Sequence, residues 1–345
     1  MAYTTIDDPS AFFKCQLYTG NGSANHAITF DDTDTVMQPD VVWIKNRDQA
    51  DAHLVFDSVR GATKYWKTNA NESETTDADT LDSFTSNGFQ VDADVKVNTN
   101  TEKYVAWCWK ESADAGFDMV SYVGNHTSGR TVAHSLSAVP EYFIIKNMNS
   151  AEKPAVYHHK TDSASPEDYV LIMSDTTARY DDLSFLNDTA PSSSVVTLGN
   201  TQGVSEIGST MILYAWTGKQ GFSKFGSYVG NSSSDGSYIH LGFSPALIMV
   251  KCTTDASTDW LIADNQRSYN KNSSYNNWMI RPNTSAAEEN GTVGCDFLSN
   301  GFKWRDSENS ANVTGRTYIY MAFAHSPFVN SNGVPNNAVA TTGGR

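Results

Sequence analysis

The chain has 345 residues, and 39 Asp and Glu outnumber its 24 Lys and Arg, which gives a formal net charge of −15. Because proteins that bind nucleic acid or anionic lipid need a cationic surface, this balance disfavours both as partners. No apolar run approaches the roughly 18 residues of a membrane span, so we predict no membrane insertion. The first ten residues lack the features of a secretory signal, so we predict synthesis in a cytoplasm.

Aromatic residues make up 12% of the chain and charged residues 18%, and aromatic and β-branched runs alternate with Ser, Thr, Asn, Asp and Gly. Such runs are typical of short strands, and the polar clusters between them are typical of turns. The composition therefore predicts an all-β fold.

A pattern of several parts recurs along the chain. Its first part is Tyr18-Thr-Gly-Asn, which returns as Tyr-Val-Gly-Asn at Tyr122 and again at Tyr228. The spacing of about 105 residues is kept by the other parts, and order kept at a fixed period indicates a repeated structural unit.

The second part starts with proline and ends with lysine, at Pro39–Lys45, Pro140–Lys146 and Pro245–Lys251. Its four central apolar residues suit a strand buried on both faces, and proline is tolerated at a strand start. Because an unpaired ammonium is costly to bury, we predict that each lysine marks the chain's exit to water.

The third part, Phe84–Phe89, recurs at 297–302 but not in the middle copy, and its Asn-Gly pair predicts a tight hairpin with positive φ. The closing part, Tyr104-Val-Ala-Trp-Cys-Trp-Lys110, matches Leu213–Lys219 and Tyr320–His325. On a strand, its Tyr, Ala and Cys would face one way, and its Val and both Trp the other.

These repeats predict three tandem β-sandwich modules at residues 1–112, 113–219 and 220–326, followed by an extended C-terminal arm at 327–345. A jelly roll of the concanavalin-like type is preferred, because the Cys…Trp…Cys spacing of immunoglobulin-like sandwiches is absent. Each module is expected to close its own apolar interior. We refer to the three ranges as segments 1, 2 and 3.

The four cysteines show no metal-binding pattern, since none forms a C-x-x-C pair or has His at ligand spacing. Cys15 and Cys108 could form a disulfide if the first and last strands of segment 1 were neighbours, and the alternative is small buried thiols. Paired aspartates such as Asp77 and Asp79 could bind calcium, but they lack the Gly and distal Glu of an EF-hand. We expect no metal and no cofactor.

An Asp-x-x-Arg spacing occurs twice, as Asp57 with Arg60 and as Asp264 with Arg267, whereas segment 2 has His158-His159 there. We interpret both occurrences as structural ion pairs that close a loop, with a functional site as the alternative. The two histidines are interpreted as ordinary polar residues.

No catalytic residue is predicted. The motifs of serine hydrolases, phosphate-binding loops and zinc proteases are absent. A glycoside hydrolase needs two carboxyls of different pKa, one of them in an apolar pocket. The glutamates considered for that role all lie in polar stretches, at Glu72, Glu74, Glu102, Glu288 and Glu289.

Three tryptophans lie near turn residues and are candidates for stacking on a sugar ring or a receptor: Trp66, Trp278 and Trp304. The alternative for each is a place in the core, since aromatic residues carry the largest apolar area.

Several phrases resemble proteins of marine bacteriophages, a tail-fibre-like or virion-surface family with repeated lectin-like β-sandwich modules. They are Met1–Phe13, Val55–Tyr65, Tyr104–Lys110 and the terminal Asn332–Asn337. The resemblance covers essentially the whole chain, most specifically its first 110 residues, and segment 2 departs most. It implies a place in the virion and transfers no catalytic or binding residue.

The leading hypothesis is therefore a non-enzymatic bacteriophage tail fibre or appendage that contacts the host cell surface, where repeated modules would add avidity. A capsid decoration or head-fibre protein is the alternative, because no heptad-repeat or β-helical shaft is present. A polysaccharide depolymerase is the third. The expected partners are other virion proteins, a host-surface glycan or protein, and further copies in a homo-oligomer.

Overall fold

A computed structural model describes residues 4–31, 35–267 and 276–327, so the predicted arm from residue 328 onward lies outside the described residues. The regular structure is almost entirely antiparallel β-strand, which confirms the all-β class. In the described ranges, no helix has the length and apolar character needed to cross a membrane.

The strands described in segment 1 are β1 (Phe13–Thr19), β2 (His26–Thr29), β3 (Val41–Asn46), β4 (Leu54–Asp57), β5 (Lys64–Lys67), β6 (Thr75–Thr76), β7 (Leu81–Thr85), β8 (Gly88–Val91) and β9 (Lys103–Trp109). A 3-10 turn at Pro9–Ala11 precedes β1, and the single helical turn α1 (Val95–Asn98) precedes β9.

The strands described in segment 2 are β10 (Phe117–Val123), β11 (Arg130–Ala133), β12 (Tyr142–Asn147), β13 (Ala155–His158), β14 (Tyr169–Ile172), β15 (Tyr180–Asp181), β16 (Val195–Leu198) and β17 (Thr210–Trp216). A 3-10 turn spans Pro166–Asp168, and two single helical turns follow as α2 (Leu183–Leu186) and α3 (Gln202–Ser205).

The strands described in segment 3 are β18 (Ser223–Val229), β19 (Tyr238–His240), β20 (Phe243–Cys252), β21 (Leu261–Asp264), β22 (Asn276–Met279), β23 (Glu289–Leu298), β24 (Gly301–Trp304) and β25 (Thr317–Pro327).

The larger sheets of the three segments have the same strand order, which places the first strand at an edge beside the closing strand. The orders are β1-β9-β3-β4-β5-β6, β10-β17-β12-β13-β14-β15 and β18-β25-β20-β21. The smaller sheets are β2-β8-β7, β11-β16 and β19-β24-β23-β22. Each of these sheets draws its strands from one segment.

In segment 1 the larger sheet packs its outer face against the smaller sheet and its inner face against the other segments. Tyr104, Ala106 and Cys108 face the smaller sheet, while Trp107 and Trp109 face inward. The predicted alternation of the closing strand is confirmed, because successive side chains of a strand point to opposite faces.

The prediction of three separate interiors is wrong in one respect. One core cluster joins residues of all three segments, including Trp43, Ile144 and Met249 from the third strand of each larger sheet. Two outer clusters belong to segments 1 and 2 alone. Each larger sheet is therefore apolar on both faces, and its inner face is covered only by the other two segments.

The segments contact one another in a closed ring. Three equivalent backbone hydrogen bonds run from a loop of one segment to the residue after the buried strand of the next: Glu74 N–H to Met148 O (2.8 Å), Arg179 N–H to Thr253 O (3.1 Å) and Glu288 N–H to Arg47 O (2.9 Å). The direction is segment 1 to 2, 2 to 3 and 3 to 1, so the arrangement approximates threefold symmetry within one chain.

The strand register corrects the alignment of the closing phrases. Trp109 pairs with Val41, Trp216 with Tyr142, and the equivalent residue of segment 3 is Phe323. The equivalence taken from the sequence is therefore shifted by two residues. Because strands have a period of two, that shift left every predicted face unchanged.

The repeated Tyr-x-Gly-Asn phrase holds the first strand to the turn before the closing strand. Its tyrosines donate to carbonyl oxygens of that turn, Tyr18 to Val97 (2.8 Å) and Tyr122 to Val204 (2.7 Å). The glycine that follows Tyr122 is needed for close approach, because a Cβ on Gly124 would lie 2.0 Å from a backbone oxygen. The repeat therefore has a structural role.

The Asn-Gly hairpins are present, but only partly for the reason expected. Gly88 has φ of +129°, whereas the equivalent Gly301 is not in the positive-φ region. Both glycines instead share a close approach to backbone, since added Cβ atoms would lie 2.0 and 2.1 Å from the carbonyl oxygens of Ile28 and Ile239.

Cys15 and Cys108 are free thiols. Their strands are neighbours, as considered, but Cys15 pairs with Trp107 and Cys108 with Lys14. The two thiols therefore point to opposite faces of one sheet, and the considered disulfide cannot form in this fold.

Candidate functional site

Two of the three tryptophan candidates are core residues. Trp66 and Trp304 are each 1% exposed, and their indole N–H groups donate to Tyr214 (3.0 Å) and Tyr228 (2.7 Å). Because both rings are buried, stacking of either on a sugar or a receptor is excluded. Proximity to turn residues in the sequence was therefore a poor indicator of exposure. Trp278 is partly buried.

The Asp57–Arg60 pair lies at the contact between segments 1 and 2. Arg60 Nε is 2.6 Å from Asp57 Oδ2, and the same carboxylate oxygen accepts a hydrogen bond from the Tyr214 hydroxyl of segment 2 (2.5 Å). Arg60 also donates to Glu74 at 2.9 Å. The pair closes its loop and joins two segments.

The Asp264–Arg267 pair occupies the equivalent place between segments 3 and 1. Arg267 Nε is 2.6 Å from Asp264 Oδ2, which also accepts from the Trp107 indole of segment 1 (3.0 Å). Arg267 donates further to Glu288 (3.1 Å) and is fully buried. Burial alone would lower the pKa of Arg267, but Asp264 and Glu288 raise it. Glu288, which the sequence placed in a polar stretch, is itself almost completely buried.

At the position of Asp57 and Asp264, segment 2 has a histidine. His158 lies where the two aspartates lie, and its Nε2 donates to the backbone oxygen of Tyr320 in segment 3 (3.1 Å). Burial lowers the pKa of His158 to about 3, so this contact is made by the neutral ring. Each of the three contacts between segments thus contains one buried polar residue at the same strand position.

The three repeated lysines correct a prediction, because they are completely buried rather than exposed. Lys146 Nζ donates to the backbone oxygens of Asn147 (2.9 Å), Glu152 (2.7 Å) and Asn71 (3.1 Å), the last belonging to segment 1. Lys251 likewise reaches Thr176 of segment 2. An ammonium carries three donors, and here carbonyl oxygens of two segments receive them.

We expect Lys146 to make stability depend on pH. Burial lowers its pKa from 10.5 to about 8, so between these values the unfolded chain binds more protons and stability rises with pH. Relative to Lys146→Met, the unfolding free energy of the wild type should rise by up to about 3 kcal/mol between pH 8 and 10.5. Urea unfolding at a series of pH values measures this difference.

The matched control for that series is Lys153→Met, because the Lys153 side chain is 50% exposed and pairs with Asp175 at the surface. It should follow the wild-type curve. A Lys146→Met curve parallel to the wild type would show that burial does not penalise this ammonium.

A carboxyl cluster that the sequence did not reveal lies where segments 1 and 2 join. Glu111 accepts from the Met119 N–H (3.1 Å) and lies beside Asp118 and Asp40. Burial, opposed by the Met119 N–H and reinforced by the two aspartates, raises the pKa of Glu111 to about 7. Glu111 and Asp118 are seven residues apart, and only the fold shows that they are neighbours.

Glu111→Gln should stabilise the protein at high pH. The folded pKa of about 7 exceeds the ordinary 4.5, so the folded state holds the proton more tightly and stability falls as pH rises from 4.5 to 7. At pH 8 we expect the variant to be more stable by about 1–2 kcal/mol after allowance for partial exposure. Thermal unfolding at pH 4.5 and 8 checks this, with Glu72→Gln as an exposed control. Equal effects at both pH values would contradict the assignment.

A cleft with a volume of about 320 Å³ lies between β1 and segment 3. Five consecutive residues of β1, from Phe13 to Leu17, line one side. The other side is lined by Ala246, Asn265, Gln266, Ala324 and His325. This volume is at the lower end of the range for small-ligand sites.

One of three equivalent positions is small where the cleft lies. Cys15 corresponds in strand register to Met119 and Phe225, which occupy the same strand position at the other two contacts between segments. Both larger side chains belong to the shared core. Sequence comparison of the repeats could have shown this size difference, but not that a cleft lies there.

The Cys15 thiol is not set up as a nucleophile. Burial and the neighbouring Asp264 raise its pKa well above the ordinary value, so the thiol stays protonated at neutral pH. Within the described residues, no group of three or more His, Cys, Asp or Glu is arranged to hold a metal ion.

A family profile described as "Domain of unknown function (DUF7483)" matches residues 8–327. The chain belongs to this family. The match includes all three segments, the cleft and both Asp–Arg pairs, so the DUF7483 domain corresponds to the whole ring. No curated protein and no solved structure matches the chain.

Proposed function

We propose that this DUF7483 protein is a non-enzymatic structural component of a bacteriophage virion, a tail fibre or appendage protein that contacts the host cell surface. The observation that carries the proposal is the use of buried charged groups. Asp57, Asp264 and Lys146 each join two segments, so the polar groups buried between segments serve to hold the ring together. A rigid body that presents polar loops suits binding.

The resemblance of the sequence to marine bacteriophage proteins supports the virion location. The repetition of related segments supports adhesion, because several weak contacts made by one rigid particle add up to useful avidity. Other virion proteins, a host glycan or surface protein, and further copies of the chain are the partners that this role would require.

Competition with adsorption tests the proposal. Host cells saturated with the folded full-length chain should adsorb the encoding phage at least tenfold more slowly than untreated cells. The control is the same chain heat-denatured. Unchanged adsorption at saturating folded chain would refute a host-contacting role.

The ring itself favours a second candidate, a capsid decoration or head-fibre protein. An arrangement that approximates threefold symmetry matches the threefold positions of a capsid lattice, and one chain could contact three lattice subunits in similar ways. Gold-labelled antibody against the chain should mark heads under this candidate and tails under the first.

A further inference from the structure

The first strand of each segment lies at the edge of its larger sheet, and one backbone edge of it is therefore unpaired by the sheet. In β1 the bonds to β9 are made by even-numbered residues, as shown by Gly20 N–H to Glu102 O and Lys110 N–H to Phe12 O. Antiparallel pairing alternates, so the N–H and C=O of Phe13, Cys15 and Leu17 point away from the sheet.

In segments 2 and 3 a side chain of the preceding segment bonds one outward backbone group of this edge. The Met119 N–H donates to Glu111 Oε1 (3.1 Å), and the Phe225 C=O accepts from His159 Nε2 (3.1 Å). These are the two residues equivalent to Cys15. A side chain bonded there obstructs pairing of the edge with another chain.

In segment 1 the equivalent position is open. Across 4–31, 35–267 and 276–327, no residue donates to or accepts from the outward backbone groups of Cys15. The Leu17 oxygen next along the edge is occupied by the Gln16 amide at 2.8 Å. The open backbone faces the 320 Å³ cleft, so an unpaired edge and a space beside it coincide.

We propose that this cleft is a strand-addition site, in which an extended, uncharged stretch of a different protein pairs its backbone with Phe13, Cys15 and the Leu17 N–H of β1. Free strand-edge donors and acceptors are what an extended peptide backbone complements. The far wall includes the small Ala246 and Ala324, which leaves room for a chain. Lys14 and Asp31 contribute one positive and one negative formal charge to the described lining, so its formal charges sum to zero.

A second copy's β1 cannot fill the site by edge-to-edge pairing, because the wall formed by segment 3 stands beside the edge in each copy. A single extended chain can enter where the edge of a folded sheet cannot. The proposal does not depend on whether the protein is located on the head or the tail of a virion.

The test is selection of binders from a random ten-residue peptide library on the immobilised full-length chain. We expect enriched peptides to be uncharged and to bind at least tenfold more weakly to Leu17→Pro, which removes one outward N–H. They should also bind at least tenfold more weakly to Cys15→Phe, which places in the cleft the larger residue that segment 3 has at the equivalent position, Phe225. The matched control is Ser121→Pro, at the equivalent strand position of segment 2, which should bind like the wild type.

A readout on the wild type alone guards against misfolded variants. Alternate amides of a bound peptide can be N-methylated in two phases, at the odd-numbered or at the even-numbered residues. Methylation should abolish binding in one phase and be tolerated in the other, because only every second amide faces β1. Three results would overturn the proposal: no enriched peptide, enriched peptides that tolerate both phases, or peptides that bind Leu17→Pro and Cys15→Phe as well as the wild type. Enriched peptides that match this chain's own sequence would overturn the assignment to a different protein.

Discussion

Arg267→Met should lower the free energy of unfolding by about 3–5 kcal/mol, the range for breaking a buried ion pair from one side. The guanidinium is fully buried and donates to Asp264, Glu288 and the Ile262 carbonyl oxygen. Its removal leaves two buried carboxylates without that cation, and the methionine offers no donor. Because Asp264 also accepts from Trp107, the damage should extend to the contact between segments 3 and 1.

Urea unfolding followed by tryptophan fluorescence measures this loss. The control is Lys64→Met, because Lys64 is 42% exposed and pairs loosely with Glu74 at 3.5 Å, so its loss should cost about 0–1 kcal/mol. Adding Asp264→Asn to Arg267→Met should restore part of the stability, since it removes one stranded charge. A loss below 1 kcal/mol for Arg267→Met would mean that the pair does not stabilise the ring.

Gly124→Ala should cost about 3 kcal/mol, at the upper end of what overpacking costs. A Cβ at this position would lie 2.0 Å from the Glu206 carbonyl oxygen and 2.8 Å from its carbonyl carbon. Both atoms are backbone, so no side chain can rotate to make room. The β10 end and the turn before β17 would have to separate, which would also pull the Tyr122 hydroxyl from Val204.

The matched control for Gly124→Ala is Gly203→Ala in the same segment. There the nearest atom to an added Cβ is the Lys153 oxygen at 3.9 Å, and the glycine lies in the helical turn α3. Alanine should therefore be neutral or slightly stabilising. Thermal unfolding of both variants separates steric conflict from a general effect of replacing glycine, and similar losses in the two would contradict the close-approach argument.

The sequence predicted the features that depend on local pattern. Alternation along Tyr104–Trp109 gave the two faces of β9, and the Pro–Lys phrases gave the three buried central strands. These features follow from strand geometry and burial, which act on neighbouring residues. The inner faces were also apolar in the sequence, but the pattern does not say which surface covers them.

Features that depend on distant contacts were not predicted. Lys146 is buried because a loop carbonyl of segment 1 completes its hydrogen bonds, and that loop lies 75 residues away. Trp66 is buried because Tyr214 of segment 2 packs against it. The cleft lies where segment 1 has the small Cys15, and the other two segments have larger residues at the equivalent position. Each case requires knowing which segment lies opposite.

Three copies joined in one polypeptide are free to evolve apart, whereas a symmetric trimer encoded by a single repeat must accept every substitution at three places at once. The divergence of Cys15, Met119 and Phe225 is the result that such independence allows. Two contacts between segments can keep the residues that hold the ring together while the third changes. A chain with three repeats can therefore become asymmetric at one contact and keep the stability of the other two.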